Sequence, residues 1–322
     1  MSTLAPHQER TGLIFAAVCA LNGAFVPAFV KLTTGYSDPF FAATATSVFG
    51  GVCALVVLGV RGELSPLVAP QIGPRLAAIG ALGTAAAYYL LFLGASGASA
   101  IDTVLCLQIE PAYSLILAWV FLGHRPTPRR VAATGALMAG IALAIGTEGL
   151  TGSSATWVLL ATPICWQVSH LITLRGLRGV PPSVLTGARY IHGGAMLAVV
   201  YLVAGDRAGL PRYGDLATLL PLLALQGGIL YYGGTLLWYN AVTRLDLART
   251  TSIVVPSIPV LSLGATFALL GETPSMQQLF GLLMTAGGVL AFVTAPHSVD
   301  TVERVPTATA PIALPAEESA DR

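Results

Sequence analysis

Residues 111–126 read PAYSLILAWVFLGHRP, and residues 259–274 read PVLSLGATFALLGETP. Laid over one another at an offset of 148, they share Pro111/Pro259, Ser114/Ser262, Leu115/Leu263, Leu122/Leu270, Gly123/Gly271 and Pro126/Pro274. The same offset pairs Ala100 with Ala248, Thr103 with Thr251 and Gly140 with Gly288, with no internal gap. Upstream, an offset of 144 pairs Lys31 with Arg175, and 143 pairs Pro39 with Pro182. The chain is a duplication whose halves differ slightly in loop length.

Of 322 residues, 55% are hydrophobic and 10% are charged, far from the ~25% charged residues of soluble domains. Ten apolar runs have about the ~17–25 residues of a spanning helix: 13–30, 40–60, 76–94, 101–122, 131–147, 157–174, 184–203, 216–242, 253–270 and 279–295. Five fall in each half, and an odd number makes the second copy enter the membrane from the opposite side. The fold class expected is therefore an all-α polytopic membrane protein, with ten transmembrane helices in two inverted five-helix repeats.

The boundaries expected are a cytoplasmic leader at 1–11, a first repeat at 12–147, an external linker at 148–156, a second repeat at 157–295 and a tail at 296–322. The first run lacks a small-residue cleavage site and is expected to stay as a helix rather than act as a signal peptide. The Pro-, Thr- and Glu-rich tail buries too little to order itself. With the N-terminus inside, Arg10, Arg61, Arg75, Arg125, Arg129, Arg130, Arg175, Arg178, Arg244, Arg249, Arg304 and Arg322 fall on the inner side, against Lys31, Arg207 and Arg212 outside. The positive-inside rule then puts both termini in the cytoplasm.

A net charge of +1 without clustered Lys or Arg argues against nucleic acid. Cys19, Cys53, Cys106 and Cys165 lie inside apolar runs without metal-like spacing, so neither a metal nor a disulfide is expected. There is no P-loop, HExxH or GxSxG motif, and no cofactor is expected. The partners expected are the lipid bilayer and a small-molecule substrate.

Within the fourth run, Glu110 lies near the bilayer midplane, where a charged side chain costs on the order of 3 kcal/mol and marks a pathway or relay. Its repeat mate is Ile258, so the acid is no part of the symmetric frame. It is the first candidate for proton coupling, with His170 as the second; a hydrogen-bonded structural acid is the alternative. Pro111, Pro256 and Pro259 each remove a helix hydrogen bond, and freed carbonyls are tolerated in a membrane only beside protein or water. These prolines are expected to kink helices around a central cavity.

Gln108, Ser252 and Ser257 are candidate walls of that cavity, joined by Tyr113, Trp166, Gln167 and Asn22. Tyr231, Tyr232 and Trp238 could add an aromatic surface. Asp102 and Arg189 read as structural charges, the first at an outer helix end and the second near the inner interface. Ala132, Ala136, Gly140 and Ala144 form a four-residue stripe suited to close helix approach, either inside the bundle or as a homodimer contact.

The fourth and fifth runs, with LQIEPAYSLIL and FLGHRP, and the eighth to tenth, with LLWYNAVTRL, LLGETP and Gly287-Gly288, resemble the two EamA domains of the drug/metabolite transporter superfamily. The resemblance covers roughly Gly12 to Ala295. His124 stands where the second copy has Glu272, and the intramembrane arginine frequent in the family's second and seventh helices is found here as Arg189 alone, with Thr46 in the matching place. The resemblance implies a secondary transporter working by alternating access. Proton-coupled export of a small metabolite, amino acid-like or amphipathic compound is the leading reading, and uptake by the same fold shares every feature. From another class, Asp102, Glu110 and His170 could serve an intramembrane enzyme acting on a lipid-borne substrate. Fifteen arginines against one lysine fit a GC-rich genome and a bacterial cytoplasmic membrane.

Overall fold

The computed structural model describes residues 6–123, 125–206, 210–211, 213–245 and 247–295. Among the described residues, ten helices are long and apolar enough to span a membrane. They are α1 (Gln8–Thr34), α2 (Pro39–Arg61), α3 (Gly73–Ser96), α4 (Ala100–Phe121), α5 (Pro128–Gly146), α6 (Ser154–Gly176), α7 (Pro182–Ala204), α8 (Asp215–Val242), α9 (Ile253–Leu270) and α10 (Met276–Thr294). No strand is found among them. The protein is an integral, multi-pass membrane protein.

Local chemistry sets the helix ends. The Asp38 carboxylate accepts from Phe41 N at 3.0 Å and Pro39 opens α2, while Ser99 Oγ accepts from Asp102 N at 2.9 Å ahead of α4. Ser275 and Gln278 form a reciprocal capping box on α10. The repeated Gly123 and Gly271 end α4 and α9 at φ 71° and 68°. A Cβ at either would meet nothing within 4 Å, so glycine is needed there for its left-handed backbone and not for space.

The repeats meet across two reciprocal crossings. Where α5 meets α10, a Cβ on Gly140 would stand 2.6 Å from Thr285 N, and one on Gly288 would stand 2.6 Å from Leu137 N. Leu137/Thr285 and Gly140/Gly288 are both pairs at the 148 offset. Where α2 meets α7, a Cβ on Gly51 would lie 3.0 Å from Tyr190 O and one on Gly194 would lie 2.8 Å from Ser47 O. Ser47/Tyr190 and Gly51/Gly194 are pairs at the 143 offset. Contact of i with j′ and of j with i′ is the mark of a two-fold relation, here between halves of one chain.

Of the α5 stripe, Gly140 and Ala144 are buried against α10 of the same chain, the internal packing that the sequence allowed, while Ala132 is exposed and Ala136 half-buried. Close backbone approach needs small residues.

Two further features bear on the site. The first helix of each repeat packs on the other repeat: α1 lies on α8 and α9, and α6 on α3 and α4. Helices α3 and α8 each carry a widened π-helical stretch, Ala81–Ala86 and Gln226–Gly233. Such stretches free backbone groups for other partners.

Candidate functional site

Helix α4 is built in two pieces, Ala100–Leu107 and Glu110–Leu122. Between them the chain tightens into i→i−3 bonds: Gln108 N to Leu105 O at 3.1 Å, Ile109 N to Cys106 O at 3.3 Å and Ala112 N to Ile109 O at 2.9 Å. Pro111 has no N–H to return to Leu107 and sits in the first turn of the second piece beside Glu110. By contrast, Pro256 and Pro259 lie inside one uninterrupted helix, Leu247–Leu270. Of the two helices carrying the prolines expected to act as kinks, the one that carries the acid is also interrupted.

That break opens on a cavity of about 180 Å³. Gln108, Glu110 and Pro111 line it from α4, with Val104 and Leu107 of the preceding piece. Trp166 enters from α6, Gly23, Val26 and Pro27 from α1, and Val255 and Ile258 from α9. Gln167, next to Trp166, donates from Nε2 to Glu110 Oε1 at 2.6 Å. Tyr113 points away from the cavity lining and donates to Leu160 O at 2.9 Å.

Behind Glu110 stands Arg189, within electrostatic range of both Glu110 and His170. It is 9% exposed, and its Nη2 donates to the Gly83 carbonyl in the π-helical stretch of α3 at 2.6 Å. A Cβ on Gly83 would stand 2.9 Å from Arg189 Nε and 2.6 Å from Ser169 Oγ, so the missing side chain makes room for the guanidinium. Arg189 Nε itself is buried without a hydrogen-bond partner.

Several candidates lie elsewhere. Tyr231 and Tyr232 belong to a buried aromatic core: Tyr88 and Tyr231 ring centroids are 4.4 Å apart, Tyr88 and Tyr190 hydroxyls 2.7 Å apart, and Tyr190 reaches Thr235 Oγ1 at 3.0 Å. Asn22 donates to Leu230 O at 2.7 Å, tying α1 to the π-helical stretch of α8. Trp238 packs on the cluster around Ala16 and Val254. Ser257 Oγ returns to Ile253 O at 2.6 Å. The Ser252 side chain and all of His124 lie outside the described residues.

Asp102 is in the first turn of α4, where it accepts from Gln278 Nε2 at 2.9 Å, beside the bond from Ala100 N to Glu272 Oε2 at 3.0 Å. It is separated from Glu110 and His170, so the three do not form the cluster that an intramembrane enzyme would need. Among the described residues, no three or more His, Cys, Asp or Glu gather as metal ligands.

Residues missed by sequence reasoning are of two kinds. The apolar lining of α1 and α9 has no local signal, because Val26 or Val255 looks like any lipid-facing valine. Tyr190 and Gln226, which joins Tyr231 and Thr33, are polar groups within apolar runs, and that signal was available.

The family model described as "EamA-like transporter family" matches residues 10–146 and 153–294. A probable terminal-alkyne amino-acid exporter of Streptantibioticus cattleyicolor is 29% identical over 67% of this chain and 72% of its own length. The transporter YyaM of Bacillus subtilis is 22% identical, over 81% of this chain and 86% of its own. A protein of known crystal structure, 19% identical, superposes with a TM-score of 0.62 over 88% of this chain and 96% of that one.

Proposed function

Since this chain belongs to the EamA-like transporter family, both of its repeats being matched, we propose that it is a proton-coupled exporter of a small metabolite, amino acid-like or amphipathic, working by alternating access. The family consists of transporters and not enzymes, and the substrate is a small molecule crossing the bilayer. The observation that carries the reading is a carboxylate, Glu110, in the wall of an interior cavity at a break in α4. An ionisable group at that depth marks a transport path, and a change in its charge during each cycle is how a proton gradient can be linked to substrate movement. Export is supported by the name of the Streptantibioticus relative. The arginine bias supports cytoplasmic termini.

The bodies that move against each other differ from the two repeats as the sequence divides them. Because α1 packs on α8 and α9, and α6 on α3 and α4, rocking carries each first helix with the opposite repeat. Lys31, on α1, donates to Ala95 O at 3.3 Å and Ser96 O at 3.2 Å at the end of α3, a tie between bodies on the outer side. Its repeat mate Arg175, on α6, donates to Phe121 O of α4, inside one body. This asymmetry supports a state closed on the outer side.

The test is transport into proteoliposomes of radiolabelled neutral amino acids and short aliphatic amines. Wild-type protein accumulates one of them when the vesicle interior is acidic and only equilibrates it when pH is equal on both sides. Glu110→Gln, which keeps an acceptor for Gln167, loses accumulation. Gradient-driven accumulation by the Gln variant at the wild-type level would remove Glu110 from coupling, and His170 would be the next group to change.

A further inference from the structure

We infer that the cavity beside the α4 break is a subsite for a primary ammonium bearing a short apolar chain, the ammonium held by Glu110 and by the carbonyls that the break leaves without helix donors. The inference rests on the transport reading and names the chemical class of its substrate.

The polar end of the cavity is rich in acceptors. Glu110 is the one ionisable side chain among the lining residues, which include no Lys, Arg or His. Pro111 cannot donate to the Leu107 carbonyl, and Ala112 N turns to Ile109 O at 2.9 Å in place of the Gln108 carbonyl expected of a regular helix. Leu107 and Gln108 both line the cavity. The C-terminal end of the half-helix Ala100–Leu107 adds its share of negative potential, and unwound carbonyls of this kind suit cations. The Trp166 ring supplies a further surface on which an ammonium can rest.

The remainder of the lining excludes a second charge. Val26, Val104, Val255 and Ile258 offer no hydrogen bond, so the opposite end of the ligand must be apolar or turn its polar group back to the Gln108 amide. Arg189 acts electrostatically on both Glu110 and His170, but neither Arg189 nor His170 is in the lining, so the cavity wall offers no cation to anchor a carboxylate. A bare sodium ion would leave the valine walls empty. Chain length is limited where α1 crosses α9, since a Cβ on Gly23 would stand 3.0 Å from Ile258 Cδ1.

The experiment measures binding by calorimetry and thermal shift to the purified full-length protein in lipid nanodiscs at neutral pH, with no gradient. Probes are n-butylamine, methylamine, n-butanol, pentanoate and sodium chloride against potassium chloride. Butylamine is expected to bind at least about tenfold more tightly than butanol, the scale of a charged hydrogen bond, with no response to pentanoate or sodium. Glu110→Gln should remove that preference, and Gly23→Leu should cost butylamine about tenfold while methylamine binds as before. Equal binding of butylamine and butanol, tighter binding of pentanoate, or a response to sodium alone would overturn the subsite. If the Gln variant fails to give a monodisperse protein, the wild-type probe series decides without it. Gradient-driven transport without amine preference overturns the subsite and leaves the transporter reading; amine preference without gradient drive does the reverse.

Discussion

Arg189 shows how a single missing atom can settle a buried charge. Its guanidinium reaches the Gly83 carbonyl because Gly83 has no Cβ to block it. Alanine there would press on Ser169 Oγ and Arg189 Nε, and overpacking of this kind costs about 1–3 kcal/mol. Gly83→Ala should therefore lower the thermal stability of the purified protein, and Gly83→Ala/Ser169→Ala should recover part of the loss. The double-mutant cycle checks it: additive effects would mean that the two side chains do not compete for that space. Gln167 acts on the other side of the site. Gln167→Leu leaves one oxygen of Glu110 without its donor, and a loss of roughly 1–3 kcal/mol is expected. Tyr113→Phe, which removes only a neutral bond to Leu160 O, should cost less in the same melting assay.

At the scale of helices, the crossing of α5 and α10 offers a test with a built-in control. Gly287 and Gly288 are neighbours on α10, yet a Cβ on Gly287 would meet nothing within 4 Å while one on Gly288 would strike the Leu137 backbone at 2.6 Å. Alanine in a helix is favoured over glycine by about 1 kcal/mol. Gly287→Ala should thus hold or raise the melting temperature, and Gly288→Ala should lower it, because the facing backbone cannot give way. Equal effects would place the helix contact elsewhere. Helix α4 differs from its repeat partner α9 for a reason visible in composition: Glu110 and Gln108 stand where α9 has Ile258 and Pro256. The broken copy is the one with polar groups to face a cavity.

For the whole molecule, the proposed alternating access, with α1 and α6 exchanged between repeats, sets which distances are expected to change during transport. A cysteine pair replacing Lys31 and Ser96 in a cysteine-free background, joined by a short bis-methanethiosulfonate that forms a disulfide to each thiol with release of methanesulfinate, ties α1 to α3 and should abolish exchange. Reduction or omission of the reagent restores it. Joining α1 to α8 through cysteines at Asn22 and Leu230 should leave exchange near its uncross-linked rate, since those residues move together. The opposite pattern would return the moving bodies to the repeats as sequence divides them. Reporter fusions at Ser99 and Ser275 should score as external and at Gly62 and Arg178 as cytoplasmic, which tests the orientation that the arginines support.

Much of this architecture can be read from the residues through local physics. Ten spans are legible because lipid demands about twenty apolar residues and internal backbone bonding for each, and the duplication is legible because matching turns keep matching glycines, Gly123 and Gly271. Glu110 stood out for its cost in hydrocarbon, and Pro111 for the hydrogen bond it removes. Only tertiary structure decided which partners those residues have. Gln167 meets Glu110 across 57 residues of chain, and Asn22 meets Leu230 across 208; no periodicity encodes such distances. The aromatic residues Tyr231 and Tyr232 share their composition with a binding wall, and burial alone assigned them to the core. The apolar lining of the cavity was invisible for the complementary reason: in a membrane protein, a valine facing a cavity and a valine facing lipid obey the same hydrophobicity, and only the helix packing tells them apart.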